Sequence, residues 1–281
     1  MKNKKILIVL LTVCLLAVAS VSCSSEPKRE NPSSSPLGRV FNLSGQVFTA
    51  EPTLNETMFI PIPDLEYKQF SGNLDVSAAG IGGNGKIENG ILNISVPEPK
   101  AGDLTPFSDT LLDLITGLAS SGLGSIMIYD DFTVFPSEAS GVLLNLQITG
   151  SETYSSLAKT DWTPPLIEII NKGTVTLAAE TVSYFYVDRD ITVTASKKTT
   201  DLTFLLLLLS ISMDTPIPIN ALTLDASRIN MSLKSGWNAV YIKTTTVLSL
   251  LGGVTVTVDV SAANPVAPKW TLDPLSIFDR F

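Results

Sequence analysis

The chain has 281 residues, with 27 acidic against 19 basic side chains, no histidine and two cysteines. Lacking histidine, it has neither the commonest general base nor the commonest zinc ligand, and no Ser-His-Asp or Cys-His nucleophile can be assembled within it. The acidic balance repels phosphate backbones and argues against nucleic acid as a partner.

Met1 to Lys5 is a short cationic lead, and Ile6 to Ala19 is almost entirely apolar. That run is short for a spanning helix, which needs about 20 apolar residues, and it fits a secretory signal. Ser20-Val21-Ser22-Cys23 closes it. Small residues directly before a cysteine resemble the bacterial lipobox, which implies cleavage of residues 1–22 and diacylation of Cys23. Ser20 departs from the leucine most lipoboxes carry there. Ordinary signal cleavage, with Cys23 left as a free thiol, is the alternative. Losing Lys2, Lys4 and Lys5 leaves 16 basic residues against 27 acidic, a balance of −11. Such a surface disfavours electrostatic docking to anionic lipid and leaves attachment to the acyl chains. Cys14 leaves with the signal and Cys23 takes lipid, so no disulfide is expected in the mature protein. Residues 23–39, rich in Ser and Pro in their first part, read as a lipidated tether. Residues 40–281 read as an all-β domain, with a split into two subdomains near 100–125 left open.

From Val40 the pattern is strand after strand. Asn73 to Ala78 alternates. Gly80-Ile81-Gly82-Gly83-Asn84-Gly85 matches the letters of a dinucleotide loop. That chemistry needs a helix to follow, and here a strand pattern follows, so the glycines read as a tight turn or bulge. Lys86 to Glu88 and Ile91 to Val96 flank Asn89-Gly90, a type I′ hairpin signal, with Leu92, Ile94 and Val96 on one face. A helix is predicted at about 105–119, capped by Thr105, with Pro106 at its first position and Asp109 in its first turn. Phe107, Leu111, Leu114, Ile115 and Leu118 would form its buried stripe.

Strands are predicted at 126–135 and 142–149, with a turn at 160–165. Ser156-Leu157-Ala158-Lys159 carries the Ser-x-x-Lys letters of penicillin-recognising enzymes but lacks the Ser-Asp-Asn and Lys-Thr-Gly elements. Strands follow at 173–178, 181–187 and 191–194. Asp130-Asp131 and Asp188-x-Asp190 offer oxygen ligands for calcium, without EF-hand spacing, and read as turn carboxylates. Thr203 to Met213, with five consecutive leucines at Leu205 to Leu209, reads as a strand buried on both faces, with a short helix as the alternative. Ile229, Met231 and Leu233 alternate, Ser235-Gly236 turns, and Trp237 to Ile242 returns. Val254, Val256, Val258 and Val260 alternate with Thr255, Thr257 and Asp259. The fold class is mainly β, an antiparallel β-sandwich or distorted barrel with one covering helix.

Leu233-Lys234-Ser235-Gly236-Trp237-Asn238-Ala239-Val240-Tyr241, Thr181 to Asp190 and Gly83 to Gly90 resemble a group of surface lipoproteins of Treponema-like spirochaetes. The resemblance covers about half of the mature chain and brings no catalytic or ligand residues. Trp237 and Tyr241 are explained by packing at a hairpin.

The expected protein is a lipid-anchored component of the bacterial cell envelope, in the outer membrane rather than the inner. It holds the membrane through Cys23 and makes protein or glycan contacts, with no catalytic residue, metal or cofactor. The alternative is an envelope assembly or adhesin-type subunit. A weaker one is a His-free hydrolase with paired carboxylates, which would show two of them at the bottom of one cleft.

Overall fold

The computed structural model describes residues 37–55, 62–111, 132–168, 173–195, 199–201, 203, 221–249, 252–261 and 268–273. The expected signal, Cys23, the tether to residue 36, Asp130, Asp131, residues 112–119 of the expected helix and the leucine run at 205–209 lie outside them. Among the described residues no helix is long and apolar enough to cross a membrane.

The fold is mainly β, a closed seven-stranded barrel with further strands added to it. The barrel consists of β1 (Phe41–Asn55), β3 (Leu74–Ala78), β4 (Gly83–Glu88), β5 (Ile91–Val96), β9 (Leu146–Thr149), β10 (Ser156–Glu168) and β17 (Lys269–Leu272). Neighbours pair antiparallel in the order β1, β5, β4, β3, β9, β10, β17. The ring closes where β17 returns to β1 in parallel, Val47 opposite Trp270. Period-2 alternation sends one set of side chains inward. Phe41, Leu43, Val47, Val76, Ile87, Leu92, Ile94, Val96, Leu146, Ile148, Leu157, Trp270 and Leu272 fill the lumen. Asn42, Ser44, Asn93 and Ser95 face water. Apolar inside and polar outside is the reverse of a membrane-spanning barrel. At about 1.5–3 kcal/mol per buried large aliphatic side chain, this core is the main stabilising term for a domain without a described disulfide.

The same sheet continues past β10 into β11 (Thr174–Val187), β15 (Gly236–Ser249), β16 (Gly253–Ser261), β14 (Ala221–Leu233), β12 (Ile191–Ala195) and β7 (Phe132–Phe135). The β14–β16 step is parallel. β2 (Ile62–Gln69) flanks β1, β8 (Ser140–Leu143) flanks the end of β11, β6 (Thr105–Pro106) flanks β8, and β13 (Thr199–Asp201) flanks β14. A second core lies under this extension, with Phe107, Phe185, Val187, Ile191, Val193, Met231, Leu233, Val240, Val254 and Val256.

β11 and β15 form the partition between the cores. Val182, Tyr184 and Tyr186 face the barrel, and Phe185 and Val187 face the second core. On β15, Trp237 faces the barrel while Val240 and Ile242 face the other way. Burial on both faces explains the unbroken Tyr184-Phe185-Tyr186-Val187 run. Residues from both sides of 100–125 line the barrel core, whereas the second core is built from Phe107 onward.

Several expected details differ. The predicted turn at 160–165 lies inside β10. Its prolines, Pro164 and Pro165, sit at a bulge where the register against β11 shifts between Thr163 and Leu166. A bulge tolerates residues that cannot donate to the ladder. Residues 142–149 form two strands, because Leu143 pairs with Phe185 of β11 and Leu146 with Ala78 of β3. Helix α1 begins at 107 and is described to 111. Thr105 and Pro106 are strand, and the Thr105 hydroxyl meets that of Thr110 at 3.0 Å instead of capping. Phe107 and Leu111 bury themselves in the second core as their spacing predicts.

Candidate functional site

The chain enters the domain at one end of the barrel. The Leu37 amide donates to the Trp237 carbonyl at 2.9 Å, and the Trp237 amide donates to the Gly38 carbonyl at 3.0 Å. Trp237 is fully buried against Phe41 and Tyr186, and its indole N–H donates to the Pro97 carbonyl at 3.1 Å. It is therefore a packing residue, as the hairpin pattern suggests, and not a surface platform. Gly236 turns the chain with φ of 105°.

The opposite end of the barrel is the mouth. There Asn89 and Gly90 take φ of 51° and 76°, the positive pair a type I′ turn requires. Gly90 donates to the Gly72 carbonyl, and the Gln46 amide donates to the carbonyls of Phe70 and Gly90. The Asn89 amide donates to Asn73 Oδ1 at 2.7 Å. These bonds hold the lip of a depression of about 500 Å³, lined by Asn73, Leu74, Asp75, Lys86, Ile87, Glu88, Asn89, Thr149 and Gly150. Asp75 stands opposite Lys86 on one side and Thr149 on the other. Amides, two carboxylates, an amine and a hydroxyl so converge on the outer face of three strands. Their chemistry suits hydrogen bonding to a polar ligand.

Catalysis is a poorer match. A glycosidase general acid is kept protonated by an apolar enclosure. Asp75 and Glu88 are both exposed.

The other sequence candidates are dispersed or already engaged. Ser156 and Lys159 lie on β10, where residues three apart point to opposite faces. The Ser156 hydroxyl donates to Asp273 Oδ1 at 3.1 Å, while the Lys159 ammonium lies 5.6 Å from the Trp270 ring centre. Burial lowers the Lys159 pKa. No serine–lysine dyad forms. Gly80 to Gly82 make the turn between β3 and β4, and no helix follows.

Asp188 and Asp190 are held by cations. Burial pushes the Asp188 carboxyl up, but hydrogen bonds from the Arg189 guanidinium and the Ser140 amide outweigh it and leave it below the ordinary range. The Lys234 ammonium at 2.6 Å and the Ser235 amide lower Asp190. These carboxylates brace three loops rather than facing an ion. Among the described residues no group of three or more His, Cys, Asp or Glu side chains is placed to hold a metal.

The depression had no signature in the sequence. There Asp75 falls in an alternating strand pattern, and Lys86 and Glu88 beside the hairpin turn. They become a site only because β9, about 70 residues on, pairs with β3. Family models, curated proteins and solved structures were compared with the chain, and none matches.

Proposed function

We propose that the protein is a lipid-anchored envelope lipoprotein whose β-domain binds a polar ligand, a glycan or a protein segment, at the depression beside the barrel mouth. It is a binding module and not an enzyme. One observation carries this reading: the chain comes in at Trp237, and the depression lies at the other end of the barrel strands. A domain tethered through Cys23 then presents Asn73, Asp75, Lys86 and Glu88 away from the bilayer. Kinship with the spirochaete lipoproteins and placement in the outer membrane belong to the same proposal. The expected all-β domain and the hairpin at Leu233–Tyr241 are consistent with them.

The test has two arms. Cells labelled with a fatty acid should incorporate it into the wild type, and Cys23→Ala should remain an unlabelled precursor. The mature protein should bind on a glycan array or a peptide library, and the Asp75→Ala/Lys86→Ala variant should lose that signal while melting normally. An envelope assembly or adhesin-type subunit would share the anchor, and binding that survives in the double variant would move the contact elsewhere.

A further inference from the structure

Five large apolar side chains are exposed among the described residues: Leu37, Val40, Ile91, Phe135 and Leu166. Three of them share one end of the domain. Leu37 and Val40 flank the bridge from Gly38 to Trp237. Phe135 pairs with Thr192, two residues beyond the turn at 188–190. Contacts run continuously between these points. The Ser235 hydroxyl donates to the Asp188 carbonyl at 3.0 Å, the Ser140 amide donates to the Asp188 carboxylate at 3.0 Å, and Arg189 reaches Glu138 at 3.4 Å. Exposure at this end is high, 59% for Val40 and 74% for Phe135.

Around these residues three cations meet four carboxylates. Arg39 faces Glu98, Arg189 faces Glu138 and Asp188, and Lys234 faces Asp190. Such a surface has no net attraction for anionic groups, and its contribution to contact is apolar. Isolated exposed apolar residues are ordinary on a soluble domain and are too few to bind anything strongly alone. Here, however, they cluster where the chain arrives from Cys23. Leu37 follows Cys23 by 14 residues. Such a length reaches at most about 50 Å fully extended. Tethering of this kind raises the effective concentration of a surface at the other end and makes a weak contact count.

We infer that this end of the domain rests on the bilayer that holds the anchor, with Leu37, Val40 and Phe135 at headgroup depth and the Arg39, Arg189 and Lys234 stems around them. The inference rests on the lipid anchor at Cys23 proposed above. It makes the domain stand end-on, with the barrel mouth facing outward. Because the contact is apolar, it persists at high salt and on zwitterionic lipid.

The experiment uses the full chain, processed in cells and reconstituted into phosphatidylcholine vesicles. The acylated mature protein has no other cysteine, so Val40→Cys, Phe135→Cys and Leu166→Cys each carry one environment-sensitive fluorophore. Leu166 pairs with Thr176, at the other end of β11 from Val187, and serves as the distal reference. The fluorophore at Val40 and at Phe135 should be quenched several-fold by spin-labelled lipid, unchanged between 0.1 and 1 M salt (roughly the range over which surface electrostatics is screened out). The one at Leu166 should not be quenched. Protein that floats with vesicles while all three probes stay unquenched overturns the end-on contact and leaves the anchor standing. Protein that fails to float overturns the anchor and the contact with it. Shielding at Val40 and Phe135 without vesicles, growing with protein concentration, would assign the patch to a second copy and overturn the lipid contact.

Discussion

Trp237 and Gly38 form an antiparallel bridge, the Trp237 amide donating to the Gly38 carbonyl at 3.0 Å. Through it a residue late in the chain clamps the first residues of the domain. The same indole packs 5.3 Å from Phe41 and 5.6 Å from Tyr186 between ring centres. Three distant segments thus close the barrel on one side chain.

Trp237→Ala should therefore be among the most damaging single changes. Truncating a fully buried ring typically costs about 3–5 kcal/mol. It also leaves the Pro97 carbonyl without its indole donor. A chemical denaturation midpoint measured beside wild type checks this, and an unchanged midpoint would contradict the burial. Because the bridge uses the Trp237 backbone, Trp237→Phe should keep Leu37 and Gly38 in place and lose less.

The mouth of the barrel yields a second prediction. A Cβ on Gly90 would lie 1.8 Å from the Phe70 carbonyl oxygen, and the residue sits at φ 76°. Gly90→Ala thus combines a left-handed backbone cost of about 1 kcal/mol with an overpacking cost of about 1–3 kcal/mol. The neighbouring Asn89→Gly should cost less than about 1 kcal/mol, since both residues tolerate positive φ and the bond from its amide to Asn73 uses no Asn89 side-chain atom. A melt of the two variants side by side separates the turn from a general sensitivity of the loop. Comparable losses in both would contradict the close approach of Gly90 to Phe70.

Legibility in the sequence followed the range of the interactions. Asn89-Gly90 between alternating strands announces its hairpin, and Leu92, Ile94 and Val96 announce their buried face, because both signals are local. Phe107 and Leu111 are likewise legible as a buried helical pair. Pro164-Pro165 was misleading: two prolines signal a turn locally, and only the bulge against β11 keeps them within a strand. The partition made by β11 was hidden for the same reason. Tyr184 and Phe185 are both large aromatic residues, and nothing in their order says that they serve two different cores. Least legible was the depression, whose Asp75 and Thr149 are neighbours only through non-local pairing of β3 with β9.

The last prediction concerns alkaline pH. The Tyr186 hydroxyl donates to Glu98 Oε1 at 2.7 Å. Burial first, and then this bond to a carboxylate, raises its pKa from 10.0 to about 12. An unfolded tyrosine ionises near 10. The folded state therefore binds the proton more tightly, and the stability this contributes is complete below pH 10. It is lost as pH rises from about 10 through about 12. Tyr186→Phe removes the titration together with the hydrogen bond. At pH 8 the variant should be less stable than wild type, because the Glu98 carboxylate loses a donor. Between pH 10 and 12 that gap should narrow, since only wild type has a Tyr186 proton to lose. Tyr184 and Tyr241, also raised by burial, titrate in both proteins and cancel in the difference. Urea midpoints for the pair at pH 8, 10, 11 and 12 measure the gap directly (the upper values bracket the shifted ionisation, about 10 to about 12). A gap that stays constant across this range would mean that the hydroxyl does not hold its proton against Glu98.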